Sequence, residues 1–354
     1  MKTWMRRREI LLSLAAAATL TAQGGMPRAQ APVDRIGLLL PKTSGPFGRA
    51  STAVRSGIEA AWKREGRDFA VDIYEIDETA ASLAGAYRGM LERGTALVLG
   101  PLTRAGASSL LQLGDVPITT VTLNQIEGDV ALPWNVIVFT LAVELEASLI
   151  AQEAFRVAQS IAAAPRASIV TADTSLGRRA AASFLERWRE LGGDAGLPLE
   201  LELGGLYKFR TLVKDETGDI VFLSMDSNLA RPVSTILGNA RPMFGTSLLS
   251  VGGPAARPVP ELNGVRLLEM PSILDPSYPA TLGYDPIPPD FSLEMQRLYC
   301  LGVDAMRVAR AMFTNTGRFE LDGLSGRLRY DADRPRIERL PVLAVYRDGV
   351  PVPL

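Results

Sequence analysis

The sequence predicts an α/β protein with two doubly wound parallel-sheet lobes joined by a multi-strand hinge. Short apolar runs alternate with amphipathic segments, and the alternation starts anew near residue 136. Strand, helix and strand in this rhythm form right-handed crossovers in a parallel sheet. The end of the chain does not repeat the pattern, so we expect it to pack back onto both lobes. We therefore place lobe 1 at 32–142 plus about 265–335, and lobe 2 at 143–264 plus about 336–354.

The first half of the chain carries the first unit of this alternation. The apolar run RIGLLLP at Arg35–Pro41 ends in proline and is typical of a strand buried on both faces. Apolar residues at helical spacing from 47 to 61 predict the helix that follows. The remaining predicted strands of this unit are 69–76, 96–100 and 118–123, and its remaining helices are 81–93 and 103–113.

The second unit and the closing part of the chain follow. The predicted strands of the second unit are 136–141, 167–172, 205–209 and 219–225, and its helices are 144–158, 176–191 and 229–237. The closing part is predicted to contain a strand at 264–270, a helix at 293–312, and β-like pieces at 326–330 and 340–346. Between them lies a proline-rich, irregular stretch from 271 to 289, which is a candidate partner-facing loop. Its Tyr278 and Tyr284 are candidate interface anchors, and an ordinary crossover loop is the alternative.

The composition excludes several classes of chemistry. The 354 residues include no histidine and one cysteine. Zinc sites and Ser-His-Asp or Cys-His nucleophiles need these residues, so we expect no metal, no cofactor and no enzymatic activity. The body is mildly acidic and has no basic stripe, which argues against nucleic-acid binding.

Residues 1–31 have the three parts of an export signal. Three consecutive arginines, Arg6 to Arg8, precede an apolar core at 11–20 that is too short to span a bilayer. The arginines also resemble a twin-arginine export motif. Ala29, Gln30 and Ala31 fit the small-x-small pattern of a cleavage site, but Pro32 follows them, which leaves the cleavage point open. No cysteine lies near the end of the leader and no later segment is apolar enough to cross a membrane. We expect a periplasmic protein without a lipid anchor or a membrane span.

Blocks spread over the body are similar to one known family. The most specific are SLGRRAAASFLERWRELGG at 175–193, ELNGVRLLEMP at 261–271 and RLYCLGVDAMRVA at 297–309. On these residues the chain resembles the carboxy-terminal domain of the LppC/LpoA family, periplasmic activators of class A penicillin-binding proteins. The resemblance implies the type I periplasmic-binding-protein fold, a non-catalytic role in peptidoglycan synthesis and a class A penicillin-binding protein as partner. Family members typically carry an amino-terminal helical-repeat domain and a lipidated cysteine, and we expect neither here.

The alternative is a solute-binding component of an ABC-type uptake transporter, with the transporter's membrane subunits as partners and an amino acid or similar small anion as ligand. Polar residues after predicted strands are candidates for a cleft, because ligands of open α/β sheets lie at the carboxyl ends of strands. These candidates are Ser44, Thr103, Asn124, Asp173, Ser175 and Asp226. Helix capping is the alternative for Thr103 and, with equal weight, for Asp226. Leu123, Asn124 and Leu176 stand where amino-acid-binding relatives carry other residues, which favours the activator.

Overall fold

Two β-sheets, each covered by helices on both faces, build the protein. The computed structural model describes residues 34–65, 69–77, 79–128, 130–201, 209, 218–238, 240–315 and 317–354. The predicted export signal lies outside these residues, and so does the predicted strand at 205–209 apart from Phe209.

The first sheet takes strands from the beginning and from the end of the chain. Its early strands are β1 (Arg35–Pro41), β2 (Ala70–Ile76), β3 (Leu97–Leu99), β4 (Thr119–Thr122) and β5 (Val136–Val138). Its late strands are β12 (Arg318–Gly323), β13 (Gly326–Asp331) and β14 (Arg334–Leu340). Within the described residues the order is β12-β13-β14-β5-β4-β3-β1-β2. The strands from β14 to β2 pair in parallel, while β12 and β13 extend the sheet as an antiparallel meander.

The second sheet has the same design. Its strands are β6 (Arg166–Ala172), β7 (Asp194–Ala195), β8 (Leu199–Leu201), β9 (Ile220–Ser224), β10 (Met243–Gly245), β11 (Arg266–Glu269), β15 (Val342–Arg347) and β16 (Val350–Pro353). The order is β16-β15-β11-β10-β9-β6-β7, and β8 also pairs with β6. Strands β6 to β11 are parallel, and β15 and β16 are antiparallel additions at one edge. In the first sheet β1 lies between β2 and β3, and in the second sheet β6 lies between β7 and β9, which is the doubly wound arrangement.

Eight α-helices lie within the described residues. They are α1 (Gly48–Glu65), α2 (Ala80–Glu92), α3 (Arg104–Ser109), α4 (Val143–Gln159), α5 (Ser175–Glu190), α6 (Ser227–Leu237), α7 (Pro271–Leu274) and α8 (Leu293–Thr314). Apolar residues of α1 and α8 form a core with one face of the first sheet, and α2 and α3 cover the other face. On the second sheet, α4 and α5 pack on one face and α6 on the other. Each sheet with its helices is called a lobe below.

Helices α1 and α8 approach each other closely because glycines lie at their contact. A Cβ atom on Gly57 would lie 2.0 Å from the carbonyl oxygen of Tyr299, and one on Gly302 would lie 2.1 Å from that of Val54. Any larger residue at either position would push the backbones apart. The pair of glycines therefore sets the spacing of the two helices that cover the core of the first lobe.

The predicted α/β alternation and fold class are confirmed, and β1 has the predicted bounds. The predicted piece at 340–346 is wrong in one respect: Pro341 divides it between β14 of the first sheet and β15 of the second. Arg266–Glu269 pairs in the second sheet, and β14 runs to residue 340 in the first. The chain therefore passes from one sheet to the other a few residues after the predicted lobe boundaries near 265 and 336. Residues Asp34–Leu354 form one compact unit, so the residue-by-residue division into lobes stays a prediction.

Three chain crossings within the described part of the chain join the lobes. They lie between β5 and α4, between β11 and α8, and between β14 and β15. The middle crossing contains α7 and the proline-rich stretch. Several crossings between two lobes restrict their relative motion to that of a hinge. The carboxyl ends of the parallel strands of both lobes face a shared cleft, where ligands of such sheets bind.

Candidate functional site: the cleft between the lobes

A cavity of about 800 Å³ lies between the two lobes. The first lobe lines it with Leu102 and Thr103, which follow β3, and with Leu123 and Asn124, which follow β4. The start of α5, just after β6, reaches it from the second lobe. These are carboxyl ends of parallel strands, the edge where ligands of open α/β sheets bind. The charged residues of the lining are Arg104, Glu127, Glu144, Arg179, Glu294 and Arg297.

Three of the six residues proposed from the sequence line this cavity: Thr103, Asn124 and Ser175. The Thr103 hydroxyl accepts a hydrogen bond from the Gly106 amide at 3.1 Å, so it caps α3. The Asn124 side chain donates to the Leu102 carbonyl at 2.9 Å and accepts from the Gln125 amide at 2.9 Å. Of the three, Ser175 is exposed at the first residue of α5. The polar groups of Thr103 and Asn124 thus already serve the fold.

The other three candidates lie away from the cavity lining. Ser44 is exposed in the loop after β1, and Asp173 is exposed and forms an ion pair with Arg178. Asp226 is the N-cap of α6, where its Oδ1 accepts from the backbone amides of Asn228 at 2.8 Å and Leu229 at 3.1 Å. The first amides of a helix lack partners within the helix, and an Asp at this position supplies acceptors for them. The structure therefore shows the capping alternative for Asp226.

Glu144, which the sequence reasoning did not single out, joins both lobes inside the cleft. Its Oε1 lies 2.5 Å from Nη2 of Arg104 on α3 and 2.9 Å from Nε of Arg179 on α5. The Glu144 side chain is 17% exposed, so the two contacts form in a largely dry place. The two arginines are separated from Glu144 by 40 and 35 residues, and no local pattern in the sequence could have paired them.

A second ion pair also joins the two lobes. Oε1 of Glu146, on α4, lies 2.7 Å from Nη2 of Arg339, on β14, and the two side chains are 4% and 2% exposed. The other carboxylate oxygen of Glu146 accepts the Ser247 amide at 3.0 Å. Arg339 also donates to the Ser325 carbonyl at 3.2 Å.

A third ion pair shares Ser247 with the second. Nη2 of Arg297, on α8, lies 2.5 Å from Oε2 of Glu269, on β11, and 2.9 Å from the Ser247 carbonyl oxygen. Burial by itself lowers the pKa of Arg297, but the carboxylates of Glu269 and Glu146 outweigh it, and the net direction is upward. Arg297 therefore stays charged. One backbone unit, Ser247, thus links two buried ion pairs that each join the lobes.

The predicted interface anchors on the proline-rich stretch are held by contacts inside the chain. The Tyr284 hydroxyl donates to Oε1 of Glu65 at 2.7 Å, and the Arg64 guanidinium lies 5.0 Å from the centre of the Tyr284 ring. The Tyr278 hydroxyl donates to Asp322. Both rings thus fix the crossover loop to the first lobe, and a partner-facing role for this loop stays a prediction.

The described residues hold no group of three or more His, Cys, Asp or Glu side chains placed to bind a metal ion. In the same part of the chain, no helix has the length and apolar character needed to cross a membrane. Each of the three arginines of the cleft is paired with a carboxylate of the chain itself. The cleft therefore presents mainly apolar side chains together with the acidic groups of Glu127 and Glu294.

Two doubly wound lobes, three crossings and a cleft at the strand ends define the type I periplasmic-binding-protein fold. The chain belongs to the LppC family: the family's sequence model, described as "LppC putative lipoprotein", matches residues 18–196 and 210–349. This confirms the family that the sequence blocks indicated.

Individual relatives agree with this assignment. A protein named "Penicillin-binding protein activator LpoA", from Photobacterium profundum, is 25% identical over 339 residues, which are 85% of this chain and 54% of that protein. The chain thus spans about half the length of this curated relative. A solved structure described as "LpoA (YraM) C-domain from Haemophilus influenzae, a regulator of PBP1A" has a TM-score of 0.72 at 20% identity, and the match covers 91% of this chain and 100% of that one. That likeness shows the fold.

Another solved structure has the same fold under a different description. It is a "putative branched-chain amino acid ABC transporter" from Chromobacterium violaceum ATCC 12472. Its TM-score is 0.72 at 30% identity, and the match covers 88% of this chain and 100% of that chain.

Proposed function

We propose that the protein is a non-catalytic periplasmic regulator of a class A penicillin-binding protein. The observation that carries the proposal is family membership that extends through both lobes, together with a relative named as a penicillin-binding protein activator. The cleft supports it, because its arginines are already neutralised by carboxylates of the chain. A regulator that binds its partner on its outer surface needs no solute between its lobes.

We propose that the partner binds near Trp134, in the loop between β4 and β5. The Trp134 side chain is 79% exposed, and Val130 in the same loop is exposed as well. Leu132 of that loop also lines a groove of about 870 Å³ beside β12, β13 and β14, where Phe319 and Tyr330 pack on each other. Tryptophan, tyrosine and arginine contribute much of the binding energy in protein interfaces. An exposed tryptophan beside a groove with aromatic residues is therefore suited to bind a protein partner.

The second candidate is a solute-binding component of an uptake transporter. It is favoured by the cleft of about 800 Å³ and by the likeness to a transporter protein over its whole length. The two functions predict different ligands for the same chain. A transporter component binds a small solute between its lobes, whereas a regulator binds a large partner on its surface.

One experiment separates the two. The full chain is titrated onto the immobilised periplasmic part of a class A penicillin-binding protein from the same organism, and the synthase's glycan-polymerisation rate is measured with and without it. We expect saturable binding and a change in rate. In parallel, melting temperatures are recorded with amino acids and small organic anions, because a ligand that binds only the folded state raises the melting temperature. No binding to the synthase, together with a saturable shift by one solute, would overturn the regulator in favour of the transporter.

A further inference from the structure

Two arginines from opposite lobes converge on one carboxylate oxygen in the cleft. Arg104 starts α3, just after the end of β3 in the first sheet, and Arg179 lies in the first turns of α5, just after β6 in the second. Both bind Oε1 of Glu144, at 2.5 Å and 2.9 Å. Guanidinium groups that converge from two lobes beside the strand ends are suited to hold the carboxylate of a ligand.

The carboxylate between Arg104 and Arg179 belongs to the chain itself. Glu144 lines the cavity together with both arginines, and within the described residues its Oε2 is buried without a hydrogen-bond partner. A buried carboxylate oxygen without a donor loses its hydration, so the two guanidinium groups must hold the side chain in place. The remaining arginine of the lining, Arg297, is occupied by Glu269 and by the Ser247 carbonyl.

We propose that Arg104 and Arg179 form a carboxylate-binding site in the cleft, and that Glu144 is its built-in occupant. A free carboxylate would have to displace Glu144 and leave that side chain charged, buried and unpaired. The native cleft therefore rejects small carboxylates, and removal of the Glu144 side chain opens a site of the size of acetate or propionate. This inference goes beyond the regulator role and does not depend on it.

The test compares Glu144→Ala with the wild-type chain and with a matched control. The control is Glu294→Ala, because Glu294 also lines the cavity but pairs with neither Arg104 nor Arg179. Melting temperature and calorimetric binding are measured with acetate, propionate and L-glutamate at constant ionic strength. We expect saturable binding to Glu144→Ala that is at least about tenfold tighter than to either other protein. Adding Arg104→Ala to Glu144→Ala should abolish this binding.

Two results would overturn the proposal. One is saturable binding of a carboxylate to the wild-type cleft that is lost in Arg104→Ala or Arg179→Ala, because the arginines would then be free to take a ligand. The other is a folded Glu144→Ala variant that binds none of the three probes. If Glu144→Ala does not fold, Glu144→Ser replaces it: the short side chain also vacates the position of the carboxylate, so the same gain of binding is expected and its absence counts against the site. Synthase binding is measured separately, so failure here leaves the regulator role untouched.

Discussion

Glu146 and Arg339 form an ion pair of 2.7 Å that is almost fully buried and joins α4 of the second lobe to β14 of the first. Oε2 of Glu146 also accepts a hydrogen bond from the Ser247 amide, and Nη1 of Arg339 donates to the Ser325 carbonyl. Buried charges are tolerated when they are paired and hydrogen-bonded, and each becomes costly when its partner is removed. The relative position of the lobes is therefore coupled to the stability of the whole chain.

Arg339→Ala should destabilise the protein strongly. The substitution leaves the Glu146 carboxylate buried and charged without its partner. We expect the free energy of unfolding to fall by about 3–5 kcal/mol. Urea denaturation measures the loss. The control is Arg55→Ala, which breaks an exposed pair with Glu59 four residues away and should cost about 0.5 kcal/mol. Equal losses in the two variants would show that the buried pair does not couple the lobes.

Gly302→Ala should also destabilise the protein, because its Cβ would lie 2.1 Å from the Val54 carbonyl oxygen where α1 and α8 touch. Overpacking of this kind costs about 1–3 kcal/mol. Gly85 in α2 is the matched control, since a Cβ there meets nothing within 4 Å. Gly85→Ala should stabilise by up to about 1 kcal/mol, because alanine is the better helix former. The same urea titration reads both variants, and a neutral Gly302→Ala would contradict the close contact.

Trp134→Ala should weaken binding to the synthase by about 2 kcal/mol or more if the partner binds at this loop, the size expected for a central aromatic anchor. Leu197→Ala is the control: Leu197 is 83% exposed but lies between β7 and β8 of the second lobe. Affinities are measured by titration against the immobilised synthase. A loss for Leu197→Ala with none for Trp134→Ala would move the interface to the second lobe.

Stability should fall in alkaline solution as buried tyrosines titrate. Burial raises the pKa of Tyr299 from 10.0 to about 12, helped by Cys300 and Asp285. Burial also raises the pKa of Tyr87 and Tyr346. Between pH 10.0 and about pH 12 the folded state keeps the Tyr299 proton that the unfolded state has lost. The free energy of unfolding therefore decreases as the pH rises through this range.

Urea midpoints from about pH 8 to about pH 11, recorded with phenolate absorbance, measure this fall. The slope should be smaller in Tyr299→Phe, which removes one titrating group and keeps the ring. An equal slope in Tyr299→Phe and in the wild-type chain would contradict the burial of the Tyr299 hydroxyl.

Local patterns in the sequence were sufficient for the elements but not for the pairing of charges. The run at Arg35–Pro41 is mainly apolar because β1 is paired on both sides, by β2 and β3, and buried on both faces, so its bounds could be predicted. The alternating, charged run of β14 was harder to recognise, since one of its faces is exposed and Pro341 follows directly. Thr103 and Asn124 were found because they follow strands, which is a local signal.

The sequence alone determined that the chain alternates strands and helices in two units, that it lacks histidine-based chemistry, and that its blocks match one family. These properties depend on residue type and on spacing within one element. The tertiary structure alone decided that Glu144, Arg104 and Arg179 meet, and that Glu146 binds Arg339 across 193 residues. Charged residues on helices look alike in sequence whether they are solvated or paired. Which of them are neutralised, and hence what the cleft accepts, is set by where the fold brings distant elements together.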